Sequence, residues 1–482
     1  MKTRIFLILA LITGAMYMNV AAQTPATDPY AYPALKDGKY TLTNKWIYSV
    51  PTGTYGTNFN LQPSIGAGTA RHMAYRNGKL LISSRSNPSQ LSILTVDAAT
   101  GAVEDSVKLA ASVFSGGSYP NNAICVDNAG NVLVSNIGFS WNALKIYKID
   151  MATGEGTQLV SFAGSRVDHI GVWGDVNNHA VIYAPVSGNE GGDKIYRWTI
   201  TNGQVVNATP DEIRIDYTAG GFNVDNPGMS TNCYPLTEQL VYFEGYSTYP
   251  TLLYINGNEA FAADSYYDLQ DASLPIPDGL IKDENTKPGI TLGMESDCNG
   301  FAHFQIGDDY FFVRPVKNYM DYSANENADP LLRATAPTSF RVYKYKDESI
   351  LFREAEGLWT FPAAGLGTNP SANGVYSVAA SVEGNKAYIY IYSPDNGIAA
   401  YELNTQGETG IKPLKAGLAV YYANNAIQFG AAVAFAQVYN LTGQLIAQAK
   451  HTASVAIAIP GIYLVKATAL NGETVVDKVI VK

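Results

Sequence analysis

Residues 71–109, RHMAYRNGKLLISSRSNPSQLSILTVDAATGAVEDSVKL, contain four short apolar segments separated by turn residues. Asn77-Gly78 separates the first two segments, and Thr100-Gly101 precedes the last. An Asn-Gly pair between short apolar segments is a strong signal for a β-hairpin. The stretch therefore predicts one four-stranded antiparallel meander.

The same pattern recurs along the chain. Thr153-Gly154 follows Thr100-Gly101 after about 53 residues, and KIYRWTITNGQVV at 194–206 repeats the pattern about 49 residues later. Units of this kind begin near Arg71, Asn122, Asp168, Asn232, Gly300 and Tyr376. A repeat of this period indicates an array of similar structural units.

The two ends of the array complement each other. The sixth unit stops after three strands, and the segment 45–50 is a strand with no partner near it in the sequence. Pairing the two would close a ring and remove the exposed sheet edges of an open array. The sequence therefore predicts an all-β fold with a six-bladed β-propeller over residues 39–408, closed by the N-terminal strand 45–50. A seven-bladed propeller, with the extra blade between units four and five, and a large β-sandwich are the alternatives.

The composition of the chain argues against some classes of binding partner. The chain of 482 residues carries a formal net charge of −10 and has no Lys/Arg-rich run, which argues against a nucleic-acid partner. Its three cysteines are too few for a disulfide framework, so we expect small buried side chains, with one disulfide as the alternative.

The N-terminus has the features of a secretory signal peptide. Lys2 and Arg4 precede an apolar run over 5–16, and small residues end at Ala22. We expect a signal peptide over 1–22, cleaved near Ala22, and a loose lead-in over 23–38. Further on, no apolar run approaches the ~20 residues of a membrane-spanning helix, so no transmembrane segment is expected. The predicted location is secreted or attached to the outer surface.

Residues 409–482 differ from the rest in composition and predict a small C-terminal β-sandwich. The informative motifs are Val438-Tyr439, Leu441-Thr442-Gly443, Pro460-Gly461-Ile462-Tyr463 and Lys478–Lys482, with a hinge-like Thr409-Gly410-Ile411. With these motifs, residues 411–482 resemble the C-terminal sorting domain of the type IX secretion system of Bacteroidetes. The resemblance implies export, contact with the secretion machinery, and removal of the domain with release or surface attachment. The preceding residues more loosely resemble uncharacterised secreted Bacteroidetes propeller proteins.

Loop lengths predict which face of the ring binds a ligand. Connections on one face are tight turns, whereas those on the other are long, and long loops are usually functional or disordered. Two insertions, 267–299 and 315–339, would flank one sector of the long-loop face.

The candidate ligand-binding residues either begin the first strand of a predicted blade, which would line the centre of the ring, or lie near these long loops. They are Arg71, His72, Arg85, Asn122, Trp141, Asp168, His169, Glu190, Asp193, Asn232, Tyr246, Tyr249 and Arg314. Aromatic rings beside fixed polar groups suit sugars and peptides. An extracellular glycan or peptide is therefore the expected ligand.

No catalytic constellation is specified. His72, His169 and His303 lack metal-ligand spacing, and we expect neither a metal nor a cofactor. Carboxylates such as Asp168 and Glu190 leave an extracellular polysaccharide hydrolase or lyase as one alternative. A scaffold for another envelope protein is the other.

Overall fold

The computed structural model describes residues 25–36, 38–54, 70–85, 87, 89–187, 193–216, 230–245, 248–265, 299–316, 338–345, 352, 355–367, 376–405, 420–423, 425–440, 444–470 and 474–481. These residues form β-strands, turns and loops without an α-helix, which confirms the all-β class. Among them there is accordingly no apolar helix of membrane-spanning length. The chain divides into two compact domains, Met1–Thr405 and Gln406–Lys482.

The N-terminal domain contains β1 (Tyr40–Ser49) and six sheet units, numbered 1 to 6 along the chain. Sheet unit 1 consists of β2 (Ala70–Arg76), β3 (Lys79–Ser84), β4 (Ser92–Asp97) and β5 (Val107–Lys108). Sheet unit 2 consists of β6 (Ala123–Val126), β7 (Val132–Ser135), β8 (Leu144–Ile149) and β9 (Gly156–Phe162). Sheet unit 3 consists of β10 (Gly171–Gly174), β11 (His179–Pro185), β12 (Lys194–Thr201), β13 (Gln204–Val205) and β14 (Asp211–Asp216).

The second half of the domain continues the pattern. Sheet unit 4 consists of β15 (Asn232–Pro235), β16 (Leu240–Gly245), β17 (Thr248–Asn256) and β18 (Glu259–Ser265). Sheet unit 5 consists of β19 (Ala302–Ile306), β20 (Asp309–Val316), β21 (Ser339–Tyr345) and β22 (Glu356–Phe361). Sheet unit 6 consists of β23 (Ser377–Glu383), β24 (Lys386–Ser393) and β25 (Gly397–Thr405), and β1 completes it.

Strand β1 joins the two ends of the domain. It pairs antiparallel with β25 from Tyr40↔Thr405 to Ser49↔Gly397, with a register shift between Asn44 and Trp46. The expected strand at 45–50 thus starts earlier, at Tyr40, and supplies the fourth strand that sheet unit 6 lacks.

Sheet units 3 and 4 share a pairing that the sequence did not suggest. Their outer strands β14 and β18 run parallel, with Arg214 opposite Glu259 and Asp216 opposite Phe261. The two units therefore form one nine-stranded sheet. The alternating residues of β14 indicate a half-buried strand but not which strand it pairs with, so this pairing has little sequence signal.

Each sheet unit packs against the next, and the last packs against the first. Six clusters of buried apolar residues lie between consecutive units. The cluster that joins unit 6 to unit 1, for example, brings together Trp46, Leu80 and Ile398. A sheet covered on both faces buries successive residues, which explains why strands such as β11 are apolar almost throughout.

The C-terminal domain is one five-stranded sheet among its described residues. It comprises β26 (Val420–Ala423), β27 (Ala426–Asn440), β28 (Leu445–Ala456), β29 (Gly461–Ala469) and β30 (Thr474–Val481). The order is β26-β27-β29-β30, and β28 pairs with β27. Val433, Val438 and Val465 lie in its core. The Leu441-Thr442-Gly443 motif, the hinge-like residues 409–411 and the expected signal peptide lie outside the described residues.

Candidate functional site

The residues that open the first strands of the six sheet units form a closed circuit of hydrogen bonds. The links are His72 Nδ1 to the Asn122 carbonyl (2.8 Å), Asn122 Nδ2 to the Asp168 carbonyl (2.7 Å), Ser230 N–H to Asp168 Oδ2 (3.2 Å), Asn299 Nδ2 to the Ser230 carbonyl, Tyr376 N–H to the Asn299 carbonyl (3.0 Å), and Met73 N–H to Ser377 Oγ (3.1 Å). The circuit passes through all six units in order. The predicted residues Arg71, His72, Asn122, Asp168, His169 and Asn232 all lie on it or next to it.

A cavity of about 260 Å³ lies among these first strands. Its lining includes His72, Cys125, His169, Cys233 and Tyr234. Both cysteines are free thiols whose pKa is raised by burial, so they are protonated and serve as small packing residues. Cys298 lies outside the described residues.

The two histidines of the cavity are neutral. His72 Nδ1 faces a carbonyl oxygen and must carry the proton, which leaves Nε2 unprotonated and, among described residues, without a hydrogen-bond partner. Burial, followed by the charge of Arg71, lowers the pKa of His72 to about 3. Burial also lowers the pKa of His169, whose ring centre lies 5.1 Å from that of His72. In the described part of the chain, no group of three or more His, Cys, Asp or Glu residues is arranged to hold a metal.

A cluster of three arginines surrounds Asp168 at one side of the circuit. Arg166 holds the Asp168 carboxylate with Nε at 3.0 Å from Oδ2 and Nη2 at 2.9 Å from Oδ1. Arg85 donates from Nη1 to Asn122 Oδ1 at 2.7 Å. Arg71 is only 7% exposed, and its Nε has no hydrogen-bond partner among the described residues.

The two remaining arginines of this cluster carry costly charges. Burial lowers the pKa of Arg71, and Arg166 lowers it further against the attraction of Asp168. Burial, followed by the charge of Arg71, lowers the pKa of Arg85 to about 10. Both groups remain protonated at neutral pH, so the site is locally positive on a chain that is negative overall.

Beside the arginines lies an exposed aromatic surface, which we call the platform and define as Tyr119, Phe139 and Trp141. Phe139 and Trp141 stack with ring centres 4.8 Å apart and planes 14° apart, and Tyr119 is 5.9 Å from Phe139. Trp141 is 68% exposed and Tyr119 is 53% exposed. The Arg85 guanidinium lies 5.6 Å from the Tyr119 ring, and Arg166 lies 5.7 Å from that of Phe139. The platform and the arginine cluster are therefore continuous.

Arg314, one of the predicted ligand-binding residues, is a buried residue of sheet unit 5. It is 0% exposed, and its Nη2 lies 3.6 Å from Glu244 Oε2. The Tyr242 hydroxyl and the Gly300 N–H also donate to Glu244, at 2.7 and 2.5 Å. Burial nevertheless raises the pKa of Glu244 to about 7. This pair joins sheet units 4 and 5, and the burial of Arg314 depends on how these two neighbouring sheets pack, which the sequence does not show.

The remaining predicted residues fall into two groups. Asp193 is exposed immediately before β12, whereas Asn232 is buried and donates from Nδ2 to the Tyr234 hydroxyl at 3.3 Å. Glu190, Tyr246 and the side chain of Tyr249 lie outside the described residues, as do most of the insertions 267–299 and 315–339.

Sequence reasoning missed Tyr119, Phe139 and Arg166. Tyr119 and Phe139 lie in the long connections 110–121 and 136–143, and the second of these also contains the predicted Trp141, so the density of aromatic residues in long loops was the available signal. Arg166 lies two residues before Asp168, but nothing in the sequence showed that it would occupy this carboxylate.

Comparisons with known proteins concern the fold. The family model DUF8500, a domain of unknown function, matches residues 97–232, which is less than half of the chain. No curated protein matches. The chain is similar to the crystal structure of a DUF4623 family protein from Bacteroides eggerthii, with 14% identity, a TM-score of 0.51, and coverage of 78% of this chain and 77% of that one. Kuenenia stuttgartiensis hydrazine synthase, at 11% identity with a TM-score of 0.34 over 88% of this chain and 99% of that one, carries no argument. At 14% identity, the first likeness is a likeness of fold alone.

Proposed function

We propose that this protein is a secreted six-bladed β-propeller that binds a glycan on the face carrying the platform. Two observations support the propeller: the cyclic packing of six sheet units, and the hydrogen-bond circuit through their first strands. Six blades are favoured over seven because units 4 and 5 contact each other directly, with Tyr242 stacked on Phe301 at 3.8 Å.

The observation that carries the binding function is the platform. Large aromatic rings are rarely left exposed side by side, because their burial is favourable, so a contiguous exposed patch marks an interaction site. A flat stack of rings suits the apolar face of a sugar, and adjacent guanidiniums supply hydrogen-bond donors for its oxygen atoms. We therefore favour a glycan over a peptide.

In the proposed route, the signal peptide over 1–22 directs export from the cytoplasm. The C-terminal sorting domain over 411–482 then directs passage through the outer membrane. The secreted or surface-attached location follows from that route. Support for this route comes from the sequence motifs alone. The test is to look for the mature protein in the culture medium and on the cell surface. Deletion of 411–482 should remove it from both places.

Glycan binding is tested with an array of oligosaccharides and the variant Trp141→Ala. We expect wild-type protein to bind a subset of glycans without releasing products, and Trp141→Ala to weaken binding about tenfold, which corresponds to about 1.4 kcal/mol. Tyr254→Ala is the matched control, because Tyr254 is also an exposed aromatic residue but lies on β17 beside Gln239. Equal binding by wild type and Trp141→Ala would contradict the proposal.

Other outcomes point to the other functions. Release of products from a polysaccharide would identify a hydrolase or lyase, although Arg166 already engages Asp168 in a bidentate pair. Binding of peptides alone, or of one envelope protein alone, would replace the glycan with a protein partner.

A further inference from the structure

The charges around Asp168 do not balance among the described residues. Arg71, Arg85 and Arg166 contribute three guanidiniums, and in the part of the chain that the structure describes Asp168 is the carboxylate that interacts with all three. His72 adds no charge because it is neutral, and Asn122 offers Arg85 only a neutral amide oxygen.

Arg166 takes up the negative charge of Asp168. Its Nε and Nη2 both donate to the carboxylate, and the backbone N–H of Ser230 donates a further hydrogen bond to Oδ2. Arg71 and Arg85 are left with long-range attraction to a carboxylate that another guanidinium already neutralises. Burying a charge without a paired counter-charge is costly, so an arrangement of this kind is expected where a ligand supplies the missing charge.

The hydrogen-bond capacity of these two arginines points to the same conclusion. Arg71 is more than nine-tenths buried and still has an unpartnered Nε among the described residues. Arg85 is partly exposed, interacts electrostatically with the buried Arg71, and lies 5.6 Å from the Tyr119 ring. Guanidinium donors match the paired oxygens of a carboxylate or a sulfate ester.

We propose that the ligand is an anionic glycan, whose carboxylate or sulfate ester binds at Arg85 and Arg71 while a neighbouring sugar ring stacks on the platform. This inference rests on the proposed function and names its substrate class. The glycan is preferred to an acidic peptide because the anion site and the aromatic stack are continuous through the Arg85–Tyr119 contact at 5.6 Å. Stacking and charge recognition can thus act on adjacent sugars of one chain.

The test compares oligosaccharides that differ only in charge. Binding of the full-length protein is measured by calorimetry for a galacturonate oligosaccharide and its methyl ester, and for a sulfated galactan oligosaccharide and its desulfated form. We expect at least tenfold tighter binding of one acidic form than of its neutral counterpart, with the difference shrinking as salt is raised. Whichever pair shows the difference identifies the anion as a carboxylate or a sulfate.

Variants separate the anion site from the platform. Arg85→Gln should remove most of the preference for the acidic form and leave binding of the neutral form unchanged. Trp141→Ala should weaken both forms by the same factor. Arg214→Gln, which removes an exposed positive charge from β14, is the matched control and should leave both affinities as in wild type. Arg71→Lys provides a second variant that retains the buried charge but loses the planar donor array.

The outcomes distinguish this inference from the proposed function. Equal binding of acidic and neutral forms overturns the anionic ligand but leaves glycan binding intact. Absence of binding to every glycan overturns the proposed function itself. Equal losses for both forms in Arg85→Gln assign Arg85 a structural role, and tighter binding of an oligoglutamate than of any acidic glycan transfers the anion site to a peptide.

Discussion

At the scale of single residues, two glycines with the same backbone conformation have different tasks. Gly78, in the Asn77-Gly78 turn, has φ +77° and nothing within 4 Å of where a Cβ would lie. Gly101, in the Thr100-Gly101 turn, has φ +74°, but a Cβ there would lie 2.7 Å from Cδ2 of Trp46. Gly78 therefore serves its own hairpin, whereas Gly101 also makes room for a side chain of β1.

This difference predicts unequal costs for the same substitution. Gly78→Ala should lower the free energy of unfolding by about 1–2 kcal/mol, the strain of a positive φ at alanine. Gly101→Ala should cost about 1–3 kcal/mol more, because the methyl group meets a fully buried ring. Urea unfolding of both variants measures the difference. In a Trp46→Ala background the extra cost of Gly101→Ala should disappear, and its persistence there would show that the ring is not the cause.

At the scale of elements, β1 is the strand that turns an open array into a closed one. Its Trp46 is buried and donates from Nε1 to the Ala98 carbonyl at 3.0 Å, so a strand of sheet unit 6 is attached to sheet unit 1. On its other side, Tyr40 and Ile47 pack in the cluster between units 5 and 6. The strand thus contributes to two interfaces between sheets as well as to its own ladder.

We therefore expect Trp46→Ala to destabilise the whole N-terminal domain. The loss should be about 3–5 kcal/mol, typical of deleting a buried aromatic ring, and unfolding should remain a single transition for the domain. Trp173→Ala is the control, since Trp173 on β10 is only half-buried and should cost less. Thermal unfolding followed by tryptophan fluorescence and circular dichroism compares the two. A separate early transition for sheet unit 6 in Trp46→Ala would argue against one cooperative ring.

At the scale of the whole molecule, buried titratable groups set how stability depends on pH. His72 and His169 are neutral in the folded protein because burial lowers their pKa values, that of His72 to about 3. In the unfolded chain they bind protons below about pH 6.5, so stability falls as the pH drops from there toward the folded pKa. Glu244 acts in the opposite direction. Its folded pKa of about 7 lies above the unfolded value, so its contribution is present at low pH and is lost as the pH rises through 7.

The histidine contribution can be isolated with His72→Gln, which removes the titrating group and keeps a side-chain N–H for the Asn122 carbonyl. Each buried histidine should cost about 1.4 kcal/mol for every pH unit below 6.5. Unfolding free energies at pH 4.5, 5.5 and 6.5 should therefore fall less steeply for His72→Gln than for wild type. Identical slopes for His72→Gln and wild type would mean that His72 is protonated in the folded protein.

The sequence by itself determined the all-β class, many of the strands and turns, and the pairing of the N-terminal strand with the last sheet unit. These follow from local rules: apolar runs make strands, and Asn77-Gly78 or Thr100-Gly101 makes a turn whatever lies beyond it. The sequence also made Trp141 and the residues that begin the first strand of each unit candidates for ligand binding, because loop length and residue type are visible in the chain.

Only the tertiary structure decided which of those residues meet. Arg71 and Arg85 belong to sheet unit 1, Trp141 to unit 2, and Arg166 and Asp168 precede unit 3, so their contacts depend on how three sheets pack. The burial of Arg314 and the parallel pairing of β14 with β18 have the same origin. The sequence shows which side chains are charged. Whether each charge lies close to an opposite charge depends on distance and burial, which exist only in the folded protein.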